Sequence, residues 1–295
     1  MPVAAPHRPH LRTEAEELAA RYPGLLAEAE RVASIVAQGV HGRRRSGLGE
    51  TFWQYRGYTP SDSATQIDWR RSARSDHLFV RENEWEAANT VWLWCDGSAG
   101  MDWASTPKIP TKKDRATVLL MALSSLLMRA GERCAVLGMS DKPHTGRFGI
   151  ERIASKLLRS EGKPQDIQAP FNCHARLVLA SDFLEPLDQW RDRLSQLSGR
   201  SASGLLIHLI DPAEESFPFK GRLKLLDPET PRPKIPFLLG RAETKRAEYL
   251  EKFAAHKQAI SDMGRRLGWR VVVHHTDKPA TQALSAIYAI LSEDK

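Results

Sequence analysis

The segment Thr90–Cys95, with the sequence TVWLWC, carries the strongest fold signal in this chain, and it is followed directly by Asp96, Gly97 and Ser98. The run Val91–Trp94 is entirely apolar, although the side chains of an extended strand alternate between two faces. A strand of this kind belongs in the middle of a parallel sheet that is covered on both faces. We therefore predict a central buried strand with polar side chains at the point where it ends.

The chain beyond this strand repeats an alternation of strand and helix patterns. Short apolar runs alternate with longer segments of helical spacing, several of which are followed by a helix-ending glycine. The predicted strands are Thr90–Cys95, Cys134–Met139, Arg176–Ala180, Gly204–Ile210 and Trp269–His274, and the predicted helices are Lys113–Ala130, Gly149–Arg159, Leu187–Leu197, Arg241–Leu267 and Ala280–Leu291. This alternation predicts an α/β fold with a doubly wound, mainly parallel sheet flanked by helices.

Three segments of different composition divide the chain. Residues 1–40 combine an N-terminal tail with two predicted helices, from Thr13 to about Tyr22 and from Leu25 to Gln38. Residues 41–86 are punctuated by glycine and proline, which predicts hairpins and loops. Residues 87–295 form the predicted α/β domain, and a hairpin extension interrupts it near residues 212–240.

Charge narrows the classes of partner. The 295 residues include 43 basic and 36 acidic side chains, which gives a net charge of +7. The basic residues are scattered apart from the clusters Arg43–Arg45 and Arg70–Arg71, whereas a dedicated nucleic-acid-binding protein usually shows a basic stripe with interleaved aromatic residues. No nucleic-acid partner is therefore expected.

Cysteine usage and hydropathy predict the compartment. The three cysteines, Cys95, Cys134 and Cys173, are an odd number, and the first two fall in apolar runs, which favours buried thiols in a reducing compartment. Residues 1–11 lack the apolar core of a signal peptide. The apolar runs are also shorter than a membrane-spanning helix requires. We expect a cytoplasmic protein without membrane insertion.

Carboxylates stand directly after three of the predicted strands, at Asp96, Asp182 and Asp211. In a doubly wound sheet, ligands bind beyond the carboxyl ends of the strands, where the strand order reverses. With the Ser98 hydroxyl, Asp96 and Asp182 would supply the oxygen ligands that Mg²⁺ prefers. The alternative is that each aspartate caps the following helix, and spacing alone favours capping.

Two familiar catalytic motifs are only partly present. The segment Gly42–Gly47 has the glycine spacing of a P-loop, but Leu48 and Gly49 stand where Lys and Ser or Thr belong. The turn around Ser98 has Asp96 where a nucleophile elbow requires glycine. The sequence therefore predicts neither nucleotide hydrolysis nor a serine nucleophile.

The segment from Tyr55 to Glu86 is rich in arginine, aspartate and tryptophan and poor in aliphatic residues. These residue types form charge-paired, aromatic-packed structure, and arginine and tryptophan are also enriched in binding hot spots. A structural clamp and a recognition surface fit this composition equally well. The candidate interaction surface comprises Arg56, Asp62, Asp68, Trp69, Arg70, Arg74 and Arg81.

The same region carries a resemblance to a known family. Its order and spacing resemble the signature of the domain-of-unknown-function family 58, DUF58, and the resemblance extends over nearly the whole chain after about residue 40. The matching stretches are 47–52 (GLGETF), 55–62 (YRGYTPSD), 67–74 (IDWRRSAR), 78–82 (LFVRE), 96–101 (DGSAGM), 181–183 (SDF), 226–229 (LDPE) and 276–279 (TDKP).

The resemblance implies a von Willebrand factor A-like fold and a metal-ion-dependent adhesion site. Such a site uses an Asp-x-Ser-x-Ser motif, a later Thr and a later Asp. Asp96 and Ser98 match the first two positions, Asp182 matches the later Asp and Thr145 is the candidate Thr. Gly100 replaces the third motif residue, so the implied Mg²⁺, Mn²⁺ or Ca²⁺ ion would be bound weakly or be absent.

The resemblance also implies a function. Family members are often encoded beside MoxR-type AAA+ ATPases, so we expect a non-enzymatic interaction module that acts as an adaptor or chaperone-like partner of such an ATPase. One alternative is a metal-dependent hydrolase or nuclease that uses Asp96 and Asp182. Another is a metal-free structural adaptor that binds its partner through the segment Arg56–Arg81.

Overall fold

The computed structural model of the chain contains two compact units, residues 41–88 and residues 1–40 together with 89–295. The structure describes residues 24, 27–37, 52–59, 67–73, 77–83, 90–139, 142–159, 162–163, 167, 175–199, 203–227 and 236–293. The predicted helix within residues 13–22, and Cys173, lie outside the described residues.

Strands and helices alternate along most of the chain. In chain order they are α1 (27–37), β1 (Phe52–Gly57), α2 (Trp69–Ser72), β2 (Phe79–Asn83), β3 (Thr90–Cys95), a 3₁₀ turn (Ala99–Met101), α3 (Lys112–Arg129), β4 (Arg133–Val136), α4 (Gly146–Arg159), β5 (Arg176–Ser181), α5 (Leu187–Ser198), β6 (Ser203–Ile210), α6 (Pro212–Ser216), β7 (Leu223–Leu225), β8 (Phe237–Leu239), α7 (Ala242–Arg266), β9 (Arg270–His275) and α8 (Ala280–Glu293).

The main sheet of the larger unit has the strand order β4-β3-β5-β6-β9, and every neighbouring pair is parallel. This confirms the prediction of an α/β fold with a mainly parallel sheet flanked by helices. From β3 the chain moves to β4 on one side and then crosses to β5 on the other, so the strand order reverses between β3 and β5. The polar residues that follow these two strands therefore flank the position where doubly wound sheets bind ligands.

The two faces of β3 belong to two separate apolar clusters. Val91, Leu93 and Cys95 pack in a cluster with residues of α1, α3, α4 and α8. Trp92 and Trp94 pack in a second cluster with residues of α5 and α7. Both sets are buried, and burying each large apolar side chain contributes about 1.5–3 kcal/mol. A polar residue anywhere in the run would therefore lie inside one of the two clusters.

Helix α3 is the most deeply covered helix of the first cluster. Every residue from Ala116 to Met128 is buried. The helix begins where the hydroxyl oxygen of Thr111 accepts a hydrogen bond from the Asp114 amide at 3.1 Å, and it ends before Gly131, whose φ is 86°. Neither α3 nor another helix in the described part of the chain is long and apolar enough to cross a membrane.

A glycine in β6 makes room for a tryptophan. A Cβ atom built on Gly204 would lie 2.0 Å from Cδ2 of the Trp269 ring, far inside van der Waals contact. Trp269 is buried in the second apolar cluster, just before β9. The glycine is therefore required by packing against this ring.

The chain after β4 departs from the sequence-based expectation. The run Cys134–Met139 was expected to be a strand throughout, but β4 ends at Val136 and Gly138 takes a φ of 81° in the following turn. The chain then runs back so that His144 pairs antiparallel with Cys134. The expected strand was too long, because Gly138 allows the chain to turn inside the apolar run.

An antiparallel hairpin, β7–β8, lies between β6 and α7. It pairs Leu225 with Phe237 and Leu223 with Leu239. The Ala242 amide donates to the Gly221 carbonyl at 2.9 Å across its base. Because parallel strands all end at one edge, which we call the carboxyl edge, the connection from β6 to α7 leaves the sheet there. The hairpin therefore extends from the carboxyl edge.

The smaller unit is built on the antiparallel pair β1–β2, in which Tyr55 lies opposite Arg81. Ser72, at the end of α2, is buried. Its hydroxyl donates to the Asp68 carbonyl at 2.8 Å and accepts from the Phe79 amide at 2.9 Å. This single side chain therefore links α2 to β2.

Candidate functional site

Asp96 is the buried carboxylate that follows β3. Its Oδ1 accepts a hydrogen bond from the Ser98 amide at 2.8 Å, and its Oδ2 accepts one from the Ser181 hydroxyl at 2.5 Å. Burial raises the pKa of Asp96 to about 6, although the bonds from Ser181 and Ser98 act in the opposite direction. The charge of Asp182 raises this pKa further, so Asp96 and Asp182 belong to one electrostatic cluster.

Lys112 is a buried cation at the carboxyl edge. It is the first residue of α3, and its side chain is only 2% exposed. Its Nζ donates to Oδ2 of Asp182 and to Oε1 of Glu214, both at 2.6 Å. Burial alone would lower the pKa of Lys112, but the charges and hydrogen bonds of the two carboxylates raise it above its usual value. Lys112 therefore stays charged at neutral pH and binds two carboxylates at once.

Asp211 and Glu214 form a capping box at the start of α6. Asp211 Oδ1 accepts from the Ala213 amide at 2.8 Å, and Glu214 Oε2 accepts from the Asp211 amide at 2.9 Å. The other Asp211 oxygen accepts from the Ser105 amide at 2.9 Å. Asp211 is therefore a helix cap, as the alternative interpretation of the strand-end aspartates expects. Its partner Glu214 uses one oxygen for the cap and the other for Lys112.

A sharp turn after β5 positions Asp182. The next residue, Phe183, has a φ of 53°, which is uncommon for a side chain of this size. Phe183 is fully buried between Trp190 and His208, with ring centroids 4.7 Å and 5.6 Å away. Burial lowers the pKa of His208 to about 4, so this histidine is neutral at physiological pH. The turn is thus held by aromatic packing together with a hydrogen bond from the Phe183 amide to the Ser181 hydroxyl at 2.9 Å.

The predicted metal ligands are only partly brought together. Ser98 lies beside Asp96, and Asp182 lies in the same cluster, but Thr145 is exposed and follows His144. His144 pairs with Cys134, which lies opposite Val91 at the beginning of β3. Thr145 is therefore near the opposite edge of the sheet, roughly five residues or 17 Å along the strand direction from Asp96.

The donor set does not fit a divalent ion as the side chains are arranged. Both oxygens of Asp96 already accept hydrogen bonds, and Oδ2 of Asp182 lies 2.6 Å from the Lys112 ammonium. An ion bound to that oxygen would lie close to a buried positive charge, which is strongly repulsive at low dielectric. Within the described ranges, no group of three or more His, Cys, Asp or Glu side chains is placed to hold a metal.

Sequence reasoning missed Lys112 and Glu214. Glu214 stands three positions after Asp211, which is the spacing of a capping box and could have identified Glu214. Lys112 gives no comparable signal. The buried helix that it begins is apolar on all sides, so the helical pattern does not show whether Lys112 or Lys113 is the buried lysine. Lys113 instead lies 3.5 Å from Asp102 and is partly exposed.

The candidate interaction surface of the smaller unit is described only in part. Trp69 is 62% exposed and Arg70 is exposed, whereas Asp68 is half-buried and its carbonyl accepts the Ser72 bond. Asp62 and Arg74 lie outside the described residues. For Arg56 and Arg81 the structure describes the strand backbone alone.

The β7–β8 hairpin exposes apolar side chains that sequence reasoning did not single out. Phe237 is 67% exposed and its cross-strand partner Leu225 is 45% exposed, and Leu226 and Leu238 are also exposed. The hairpin also presents exposed basic residues, among them Lys224. Apolar surface of this kind on one protruding element is typical of an interaction site.

The fold and the carboxyl edge define a class of protein, an α/β domain with a parallel sheet whose strand-end carboxylates are held by a buried lysine. Residues 54–259 match the family described as "Protein of unknown function DUF58". The match covers more than half of the chain, so the chain belongs to the DUF58 family.

Among curated proteins, relatives of this chain occur in mycobacteria. Uncharacterized proteins of Mycobacterium bovis and Mycobacterium tuberculosis are each 27% identical to this chain over 201 residues. The matched stretch covers 62% of this chain and 62% of each relative. The chain therefore matches less than two thirds of the length of these relatives.

Two solved structures resemble the chain at low similarity. One is the conserved hypothetical protein BatB from Bacteroides thetaiotaomicron, with a TM-score of 0.39, and the other is an aerotolerance-related membrane protein from Bacteroides fragilis, with a TM-score of 0.41. Each is 11% identical, and each match covers 70% of this chain and all of the other chain. At these scores the resemblance supports no functional argument.

Proposed function

We propose that the protein is a non-enzymatic interaction module with a von Willebrand factor A-like domain, and that it serves as an adaptor or chaperone-like partner of a MoxR-type AAA+ ATPase. The observation that carries the interaction role is the exposed apolar surface of the β7–β8 hairpin. The ATPase is proposed from the family, whose members are often encoded beside such enzymes.

The hairpin has the properties of a contact surface. The side chains of the cross-strand pair Leu225 and Phe237 are each more than two fifths exposed. Burial of each of these side chains would be favourable by roughly 1.5–3 kcal/mol. Its two strands have only three residues each, and a two-stranded hairpin alone is marginally stable in water. A partner that covers the apolar side chains would stabilise it.

The carboxyl edge supports a binding role more than a catalytic one. Its carboxylates at Asp182 and Glu214 are engaged by Lys112, and a general base has to be free to accept a proton from a substrate. This is an argument against the alternative hydrolase or nuclease that would use Asp96 and Asp182. It leaves the edge as the part of the sheet from which the hairpin projects.

Binding to the MoxR-type ATPase of the same genome tests this function. Calorimetry with the purified ATPase is expected to show binding by the wild type. The double variant Leu225→Ser/Phe237→Ser is expected to weaken it roughly tenfold or more, because central apolar anchors dominate interface energies. Phe148→Ser is the matched control, since Phe148 is 81% exposed but lies on α4.

The outcomes separate the parts of the proposal. Wild-type protein that does not bind the ATPase would remove this partner. Full binding by the hairpin double variant would remove the hairpin as the contact surface. Loss of binding after Trp69→Ala or Arg70→Ala would instead favour the adaptor that uses the smaller unit, where both side chains are exposed.

A further inference from the structure

The carboxyl edge contains its own cation. Lys112 Nζ lies 2.6 Å from Asp182 Oδ2 and 2.6 Å from Glu214 Oε1, and the side-chain exposures are 2%, 8% and 12% respectively. Asp182 directly follows β5, Glu214 lies in α6 after the neighbouring strand β6, and the cation comes from the start of α3. One ammonium group therefore joins three elements that are distant in sequence.

Buried carboxylates need such a partner. An ionised carboxylate without a compensating charge is strongly disfavoured in a low-dielectric interior, and pairing with hydrogen bonds is the usual remedy. Burial raises the pKa of Glu214, and Lys112 acts against this rise. The second oxygen of Asp182 accepts a hydrogen bond from the Leu184 amide at 3.2 Å, and the second oxygen of Glu214 accepts one from the Asp211 amide at 2.9 Å. The ammonium thus completes the set of contacts that the two buried carboxylates make.

We infer that Lys112 is the resident cation of the carboxyl edge and balances there the negative charge that a divalent ion balances in a metal-ion-dependent adhesion site. The edge consequently needs no metal ion to hold its strand ends together. Because the cation is covalently part of α3, chelators and dilution cannot remove it. This inference does not depend on the hairpin or on the ATPase, and it holds for an interaction module with any partner.

The wild-type protein provides the first test. Thermal unfolding is measured in EDTA, in MgCl₂ and in MnCl₂, and Mn²⁺ binding is followed by calorimetry. We expect the same melting temperature in all three solutions. We also expect any Mn²⁺ binding to be the same in the wild type and in Asp182→Asn. Stabilisation by either ion that is lost in both Asp96→Ala and Asp182→Asn would overturn the inference, because the edge would then hold a metal beside the lysine.

Removal of the ammonium provides the second test. Lys112→Ser is expected to lower the melting temperature by about 10 °C in EDTA, because one member of a buried charge cluster is lost. Mg²⁺ or Mn²⁺ is expected to restore part of this loss, since the vacated space lies between two carboxylates. A folded Lys112→Ser protein that neither ion stabilises would overturn the equivalence of ammonium and metal.

Two controls keep this test specific. Lys113→Ser removes the neighbouring lysine, which is partly exposed and lies 3.5 Å from the half-exposed Asp102. It is expected to change the melting temperature little and to give no response to divalent ions. Should Lys112→Ser not fold in EDTA, folding of the same variant in MgCl₂ or MnCl₂ would support the inference, and failure to fold in every solution would count against the replacement of ammonium by metal.

Discussion

The carboxyl edge and the β7–β8 hairpin are connected in sequence but have opposite relations to solvent. At the edge, the charged side chains of Lys112 and Asp182 are buried. On the hairpin, the apolar side chains of Leu225 and Phe237 are exposed. Buried charges and exposed apolar groups are the informative exceptions in a globular protein. The edge therefore stabilises the chain itself, whereas the hairpin is available for a second molecule.

The largest expected effect is on the edge. Lys112→Met should reduce the free energy of unfolding by roughly 3–5 kcal/mol, because it leaves two buried carboxylates without their cation. Urea denaturation measures this change. Lys112→Met combined with Glu214→Gln should cost less than the sum of the two single substitutions, since the second removes a charge that the first has left unpaired. Strict additivity would show that the cluster does not act as a unit.

Asp96 should make stability depend on pH. Its pKa is about 6 in the folded protein against an ordinary value of 3.8, so the folded state binds the proton more tightly. The wild type should therefore lose stability as pH rises between these values, by roughly 3 kcal/mol in total. Asp96→Asn does not titrate, so its stability relative to wild type should increase by about this amount between about pH 4 and pH 7.

Urea denaturation of both proteins at the two pH values measures this difference. The comparison between variants cancels the titration of other groups, including His208, whose lowered pKa makes the folded state lose stability as pH falls from about 6.5 to about 4. A stability difference that is the same at both pH values would show that burial does not raise the Asp96 pKa. This would weaken the contrast between the buried edge and the exposed hairpin.

The smallest expected effect is on the hairpin. Leu225→Ser/Phe237→Ser should change the free energy of unfolding by only about 0.5 kcal/mol, because substitutions at exposed positions rarely do more. The same variant is expected to lose partner binding, so the hairpin should separate function from stability. A loss of several kcal/mol in urea denaturation would instead mean that these side chains pack within the chain.

The main sheet could be predicted because its information is local. The run Thr90–Cys95 is apolar at every central position, and each strand of this kind is followed by a helical pattern. The prediction of Asp96 and Asp182 at strand ends follows from the same pattern. The position of Lys112 could not be predicted, because its burial depends on α3, β5 and α6 meeting in three dimensions.

Two other features were beyond the sequence for different reasons. The family resemblance assigns Thr145 to the metal site, but His144 pairs antiparallel with Cys134 and so holds this segment beside the beginning of β3. Gly138 signals a turn, but a turn signal does not give the direction in which the chain leaves the turn. The hairpin was anticipated near residues 212–240, yet its exposure could not be inferred, because alternating Leu and Lys residues fit a covered strand as well as an open one.

The contact between Gly204 and Trp269 has a consequence for the evolution of this family. Since a methyl group at position 204 would overlap the indole ring, the two positions cannot drift independently. A homologue with alanine or a larger residue at the position of Gly204 should carry a smaller side chain at the position of Trp269. Aligned sequences of the family should therefore show covariation between the position of Gly204, near the beginning of β6, and the position of Trp269, which directly precedes β9.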